Sequence, residues 1–215
     1  VSIATTAGAV GDIYNGIALL PGVQAAGESG KLIVRGGDSR EAQTFIDEMH
    51  VLSPYTYTPE NSAARGRYSP FLFEGINFSS GGFSSDYSQS LSSVLPLTTK
   101  DESPGTKIGI SLLSVGMGGG GTKAWANSSL SFNGDYQNIG PYNKLFPDSY
   151  DWINPYQRIS GESQFRKTLA NKGIWKTYLA YDRTSFAQHT SEAFNPINRR
   201  MDFEEDNLYL NSTFR

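Results

Sequence analysis

From about Thr106 to Arg215 the sequence alternates. The segments "TKIGISLLSV", "KAWANSSLSFNGDY", "GIWKTYLAYDRTSF" and "DNLYLNSTFR" set small or polar side chains against large apolar or aromatic ones. Successive side chains of an extended chain point to opposite faces. Trp175, Leu179 and Tyr181 therefore share one face, and Lys176, Tyr178, Asp182 and Thr184 the other. In the last segment Leu208, Leu210 and Phe214 face away from Asn207, Tyr209, Asn211 and Arg215. A soluble antiparallel sheet shows such alternation. So does a transmembrane β-barrel, whose strands need about 9–11 tilted residues to cross the hydrocarbon. The strand lengths, the aromatic residues near the strand ends and the scarcity of continuous apolar runs suit the barrel; the soluble sheet is the other reading of this texture.

Composition narrows the classes. Of 215 residues 38% are hydrophobic, while glycine (23), tyrosine (12) and phenylalanine (12) are abundant, a mixture that favours strands and turns. The net charge of -3 and the lack of any lysine–arginine cluster argue against a nucleic-acid partner. Zero cysteines exclude disulfides and thiolate metal sites. No apolar run reaches helix-spanning length, and VSIATTAGAV has neither a basic region nor a long apolar one. The expectation is a soluble protein or one whose leader has been removed.

The first hundred or so residues read as a compact mixed domain. Ile13, Ile17 and Leu20 recur at helical spacing before Pro21-Gly22, which predicts a short amphipathic helix over 10–20. Two β-prone pieces follow, 23–25 and 31–34, the second running into Arg35-Gly36-Gly37. "QTFIDEMHVL" reads as a strand broken by a tight turn at Asp47-Glu48, and "SPYTYTPENSAARGRYSP" as a long loop. "GGFSSDYSQSLSSVLPLTTKD" then enters on Gly81-Gly82 and leaves on a short apolar run, Val94, Leu95 and Leu97.

"LLPGVQ" after a short helix, "IVRGG" after a strand, "FIDEMHVLSPY" and "FLFEGINFSSGGFSSDYSQSLSSVLPLTTKD", in this order and spacing, resemble the plug domain of TonB-dependent outer-membrane receptors. The resemblance covers about Gly11 to Asp101 and, more loosely, the remainder. The chain departs from the family pattern at Asp47-Glu48, where Asp-Gly is usual, at Tyr87-Ser88, where Tyr-Gly is common, and at Pro96, which interrupts an otherwise unbroken apolar strand. Proline lacks the amide hydrogen of a ladder, so Pro96 is expected at a sheet edge or bulge.

The resemblance implies an α+β plug domain, a small mixed sheet with short helices, over residues 1–101, followed by antiparallel strands of a transmembrane β-barrel over 102–215, about five strands of it; the whole is mostly β. It implies structural turns at Gly22, Arg35, Gly36, Gly37, Gly81 and Gly82. It places the chain in the outer membrane of a Gram-negative bacterium, against outer-membrane lipid. There it would serve active uptake of a large or scarce extracellular substrate of the siderophore, cobalamin or glycan class. The partner would be the inner-membrane energy-transducing TonB complex, acting through a strand-pairing segment that VSIATTAGAV does not show. The smallest closed membrane barrels need about eight strands, so the sequence is expected to be an excerpt of a longer chain. Two other classes are a non-transporting outer-surface binding or signalling protein with a plug-like domain, and a soluble β-rich binding module.

Plug loops of that family rise towards the outside, and the longest loop here, 53–69, carries Tyr55, Tyr57, Arg65, Arg67 and Tyr68. Aromatic faces and guanidinium forks suit sugars, catecholates and carboxylates; the same residues could instead anchor the plug to the barrel. No cofactor, metal or catalytic group is expected. "GMGGGGTK" lacks the Gly-Lys-Thr order of a phosphate loop and reads as a flexible hairpin turn. His50 and His189 lie far apart outside any metal-ligand spacing, and no Gly-x-Ser-x-Gly elbow is present. "DFEED", 202–206, lacks the spacing of a calcium loop and reads as a solvated turn. The chain offers no enzyme-like constellation.

Overall fold

The computed structural model describes residues 11–59, 62–87, 90–101, 105–192 and 195–215. The expected helix start at Val10, the segment VSIATTAGAV, Ser88 and the expected domain junction at 102–104 lie outside them.

Helix α1 (Ile13–Ala18) is shorter than its periodicity predicts. Asp12 sets its start: its carboxylate accepts the amides of Tyr14 and Asn15 at 2.8 and 3.4 Å, two of the donors a helix start leaves free. Ile13 and Ile17, one turn apart, are buried. The chain turns at Gly22, at φ 79°, into a two-stranded ribbon, β1 (Val23–Ala25) and β2 (Leu32–Val34), whose register pairs Val23 with Val34. The ribbon ends on Arg35 and Gly36 at φ 50° and 77° and on Gly37, whose amide donates to the Val34 carbonyl at 3.0 Å.

A four-stranded sheet forms the centre of the plug: β3 (Ala42–Ile46), β4 (Met49–Val51), β5 (Phe73–Ile76) and β6 (Ser93–Thr99), in the order β4-β3-β6-β5. Strands β3 and β6 are parallel, and the other pairings are antiparallel. The apolar run of β6 is buried throughout because that strand is central. Gly81 and Gly82, at φ 150° and 69°, turn the connection between β5 and β6.

Pro96 is therefore not on an edge strand, contrary to expectation. Val94 exchanges both backbone bonds with Ser79, at 2.9 and 3.0 Å, and Pro96, two residues on, turns its nitrogen to the same side. The paired stretch of β5 ends at Ile76, opposite Leu97, so Pro96 sits in the gap between that pair and the Ser79–Val94 bridge. A local gap in one ladder accommodates the missing donor as an edge would.

Six antiparallel strands in chain order form a wall: β7 (Lys107–Leu113), β8 (Gly116–Ala124), β9 (Ser128–Asn138), β10 (Asp151–Thr168), β11 (Ile174–Glu192) and β12 (Asn195–Phe214). A short helix, α2 (Gly140–Leu145), lies between β9 and β10. About five strands were expected, and two expectations change. "GMGGGGTK" is not a flexible turn but strand β8, paired on both sides, with Gly121 opposite Ile108 and Phe132. A Cβ on Gly121 would stand 2.7 Å from the Lys107 carbonyl, so glycine permits this close pairing. "DFEED" is not a turn either; it lies inside β12, where Glu205 is partly buried and Glu204 and Asp206 point away.

The two faces of the wall differ as the alternation predicts. Outward, Leu179 pairs with Leu210 and Tyr181 with Leu208, and Trp175 meets Phe214, all exposed. From Trp175 to Tyr181 this band runs on the order of 20 Å along the strand. Beyond it charge begins, with Tyr181 donating to Asp206 at 2.5 Å and Arg183 paired with Glu204. Inward, Lys176, Tyr178 and Asp182 are buried against the plug, and Thr184 is buried on the same face. Tyr178 and Ala180 pack into one core with Ile13, Ile46, Leu72 and Leu97. Among the described residues no strand pairing joins the plug sheets to the wall.

Candidate functional site

The long loop between β4 and β5 is ordered by its own backbone. Thr56 donates to the Arg65 carbonyl at 2.8 Å and Arg67 to that of Pro54 at 2.9 Å, bringing Tyr55 opposite Gly66. The Gly66 amide donates to the second oxygen of Asp12 at 2.9 Å, so the residue that caps α1 also fixes the loop. The Tyr55 hydroxyl accepts the Leu32 amide at 3.1 Å, and its ring lies 4.5 Å from that of Tyr14. Burial pushes the Tyr55 phenol up to about 12 and also raises Tyr14 well above its ordinary value.

This loop, the β1–β2 connection and the inner face of β12 enclose a cleft of about 610 Å³, lined among others by Lys31, Tyr55, Tyr57, Thr58, Met201 and Glu205. Tyr57 stacks on Phe203 with ring centroids 4.0 Å apart and planes 13° apart, yet is 48% exposed. Phe203 continues the stack to Phe186 at 5.2 Å. The cleft thus joins aromatic surface to hydroxyls, with Lys31 exposed and Glu205 partly buried.

The five loop residues singled out from the sequence separate. Tyr55 and Tyr57 line the cleft, while Arg65 is exposed and outside its lining. Arg67 and Tyr68 are buried between plug and wall. Arg67 pairs with Asp182 through Nη1 and with Glu205 through Nη2 at 3.1 Å, and it donates to the carbonyls of Ser53 and Tyr55 at 3.0 and 2.8 Å. Arg158 approaches both Asp182 and Asp135 at 3.4 Å and donates to the Arg67 carbonyl at 3.2 Å. The Tyr68 ring lies 5.9 Å from that of Tyr209 and 6.3 Å from that of Tyr178, and burial raises its phenol. Glu162 accepts both the Ser69 amide and the Tyr178 hydroxyl at 2.8 Å.

A second polar cluster, not foreseen, ties the end of the plug to the wall. Lys176 Nζ donates to Asp47 Oδ1 at 3.1 Å, to the Thr99 carbonyl at 3.0 Å and to Asp101 Oδ1 at 2.7 Å, which occupies all three ammonium protons. Asp47 also accepts the Thr99 amide at 3.0 Å and the Thr99 hydroxyl. Gln164 donates to the Lys100 carbonyl at 2.9 Å, and Arg166 to that of Asp101. The signal in the sequence was charge on the inward positions of the long strands.

His50 bonds Gln43, and His189 bonds Asp151 at 3.0 Å, each on its own sheet. Among the described residues no group of three histidines or carboxylates could hold a metal ion.

No protein-family model matches the sequence, and no curated protein matches it. Solved structures do resemble it. The ferric enterobactin receptor of Pseudomonas aeruginosa (a G324V mutant) superposes over 93% of this chain and 36% of its own, with a TM-score of 0.56 at 14% identity. The FrpB iron transporter of Neisseria meningitidis covers 94% of this chain and 35% of its own, with 0.59 at 12% identity. The copper transporter OprC covers 93% of this chain and 31% of its own, with 0.58 at 11% identity. The chain thus spans about a third of the length of the structures it matches. Its fold is that of TonB-dependent receptors, a plug domain followed by antiparallel barrel strands.

Proposed function

We propose that this chain is the plug and leading wall of an energy-coupled importer in the outer membrane of a Gram-negative bacterium. It admits a large or scarce extracellular substrate of the siderophore, cobalamin or glycan class. The observation that carries this reading is the division of the wall: an exposed apolar band outside, and inside a row of buried charges matched to the plug by Lys176, Arg67 and Glu162. Apolar side chains facing out and charges facing a filled lumen are what lipid and plug respectively demand. The domain division 1–101 and 102–215 follows this reading. So does the TonB complex as the partner that acts on the plug, and so does the assignment of the cleft at Tyr55 and Tyr57 to substrate, with Arg65 exposed outside its lining. No catalytic role is assigned to the chain.

The test is uptake of labelled ferric chelates, cobalamin and oligosaccharides by cells carrying the full-length protein, with and without TonB. Accumulation of one substrate that disappears when either protein is deleted supports the importer. Surface binding without accumulation, unaffected by loss of TonB, would replace it with a non-transporting surface receptor.

A further inference from the structure

Beneath the cleft the charges do not balance. Two guanidinium groups, Arg67 and Arg158, serve three carboxylates, Asp182, Asp135 and Glu205. Arg67 and Asp182 are each 3% exposed, so their pairing leaves Glu205 as the outer and weaker partner, at 27% exposure. Only its Oε1 meets Arg67; among the described residues its Oε2 is buried with no hydrogen-bond partner. A carboxylate oxygen withdrawn from water without a donor costs free energy, so Glu205 holds an incompletely satisfied negative charge, and its side chain lines the cleft. Lys31, the cationic residue of the cleft lining, is exposed, where water and salt screen it.

Tyr57 adds a second, independent attraction for the same kind of group. Its ring is held against Phe203 yet is nearly half exposed, so ring surface is presented to the cleft. An aromatic face attracts cations through its quadrupole.

We propose that this cleft recognises a cationic group of the substrate, an ammonium or guanidinium, seated between the exposed surface of Tyr57 and the carboxylate side chain of Glu205, which lines the cleft at 27% exposure. The proposal rests on the assignment of the cleft to substrate and adds its charge. The recognised group is a positively charged donor, so an anionic catecholate or carboxylate is disfavoured at this point of the cleft.

Three probes with one ring and three charges test this on the full-length protein in detergent: benzylammonium, benzyl alcohol and benzoate. The cation is expected to bind at least tenfold more tightly than the alcohol, and benzoate most weakly. Glu205→Gln should remove most of the cation's advantage while changing benzyl alcohol binding less than twofold. Equal binding of the three, tightest binding of benzoate, no binding of any, or an unchanged order in Glu205→Gln would each overturn the proposal. The underlying assignment is read separately, from the transported substrate. If Tyr57→Ala weakens its binding and Glu205→Gln does not, the cleft stands as substrate site and the charge assignment alone fails.

Discussion

The Nζ of Lys176, on the inner face of the wall, lies 3.1 Å from Oδ1 of Asp47, at the tip of the plug's β3–β4 hairpin, and neither side chain is more than 2% exposed. Together with Asp101 this places two carboxylates on one ammonium at the point where the plug passes into the wall. Removing the lysine leaves both carboxylates near one another without a cation, the costly way to break a buried pair. Lys176→Met is expected to destabilise docking of the plug by about 3–5 kcal/mol. Adding Asp47→Asn should restore part of the loss, since the two changes share one interaction. Protease protection of the plug in the folded barrel measures both; additive losses would show that the two residues act apart.

Asp47 and Glu48 form the two-residue turn of that hairpin with φ 46° and 71°. Left-handed conformation at both positions is what a type I′ turn requires, and a glutamate tolerates it poorly. The carboxylate of Asp47 is committed to Thr99 and Lys176, whereas Glu48 makes an exposed pair with Arg215. Glu48→Gly should therefore stabilise the hairpin, by about 1 kcal/mol, seen as slower hydrogen exchange at residues 42–51. Faster exchange would mean that the pair with Arg215 outweighs the strain.

Tyr55 makes the plug sensitive to alkali. Burial raises its phenol to about 12 in the folded protein, against about 10 in an unfolded chain. The folded state thus keeps its proton where the unfolded state releases it. The contribution is complete below about pH 10 and is lost as pH rises towards 12, on the order of 2–3 kcal/mol in all. Urea unfolding of the plug at several pH values should show this decline. In Tyr55→Phe the decline should flatten, after a loss of about 1 kcal/mol at neutral pH from the missing acceptor of the Leu32 amide. Parallel declines in both proteins would assign the effect to another buried tyrosine, such as Tyr14.

How much of this was legible beforehand depended on whether the cause was local. Strand β1 and the apolar run of β6 showed because Val23, Val94, Leu95 and Leu97 stand between glycine turns and polar loops. Strand β8 was missed because Gly118–Gly121 carry no side chains and so no period. Strand β10 was missed because its outward row is interrupted by Gly161 and Ser163, and its inward row, Arg158 to Arg166, is polar. In the loop, Tyr57 and Arg67 have equally suitable chemistry in sequence. Only the wall separates them, by placing Phe203 beside one and Asp182 and Glu205 beside the other. Lys176 and Asp47 are 129 positions apart, and no local pattern marks such a pair.

That separation yields the last prediction. Tyr57 is nearly half exposed and contacts the wall by stacking, so Tyr57→Ala removes cleft surface while costing the fold little. Loss of one aromatic contact, about 0.5–1.5 kcal/mol, should weaken binding of the substrate proposed for the cleft roughly 2- to 13-fold. Arg67 is buried, and its donors are spent on Asp182, Glu205 and the loop's own carbonyls. Arg67→Ala would leave Asp182 with Arg158 and Glu205 with no cation, so a loss of about 3–5 kcal/mol in stability is expected. Arg67→Lys should recover little, because an ammonium cannot reproduce the forked contacts to two carboxylates and two carbonyls. Binding isotherms and thermal unfolding of each variant decide the matter. Weakened binding without lost stability in Tyr57→Ala, and the reverse in Arg67→Ala at temperatures where the plug stays docked, is the expected pattern. Should Arg67→Ala weaken binding while stability holds, the guanidinium would belong to the substrate and not to the anchor.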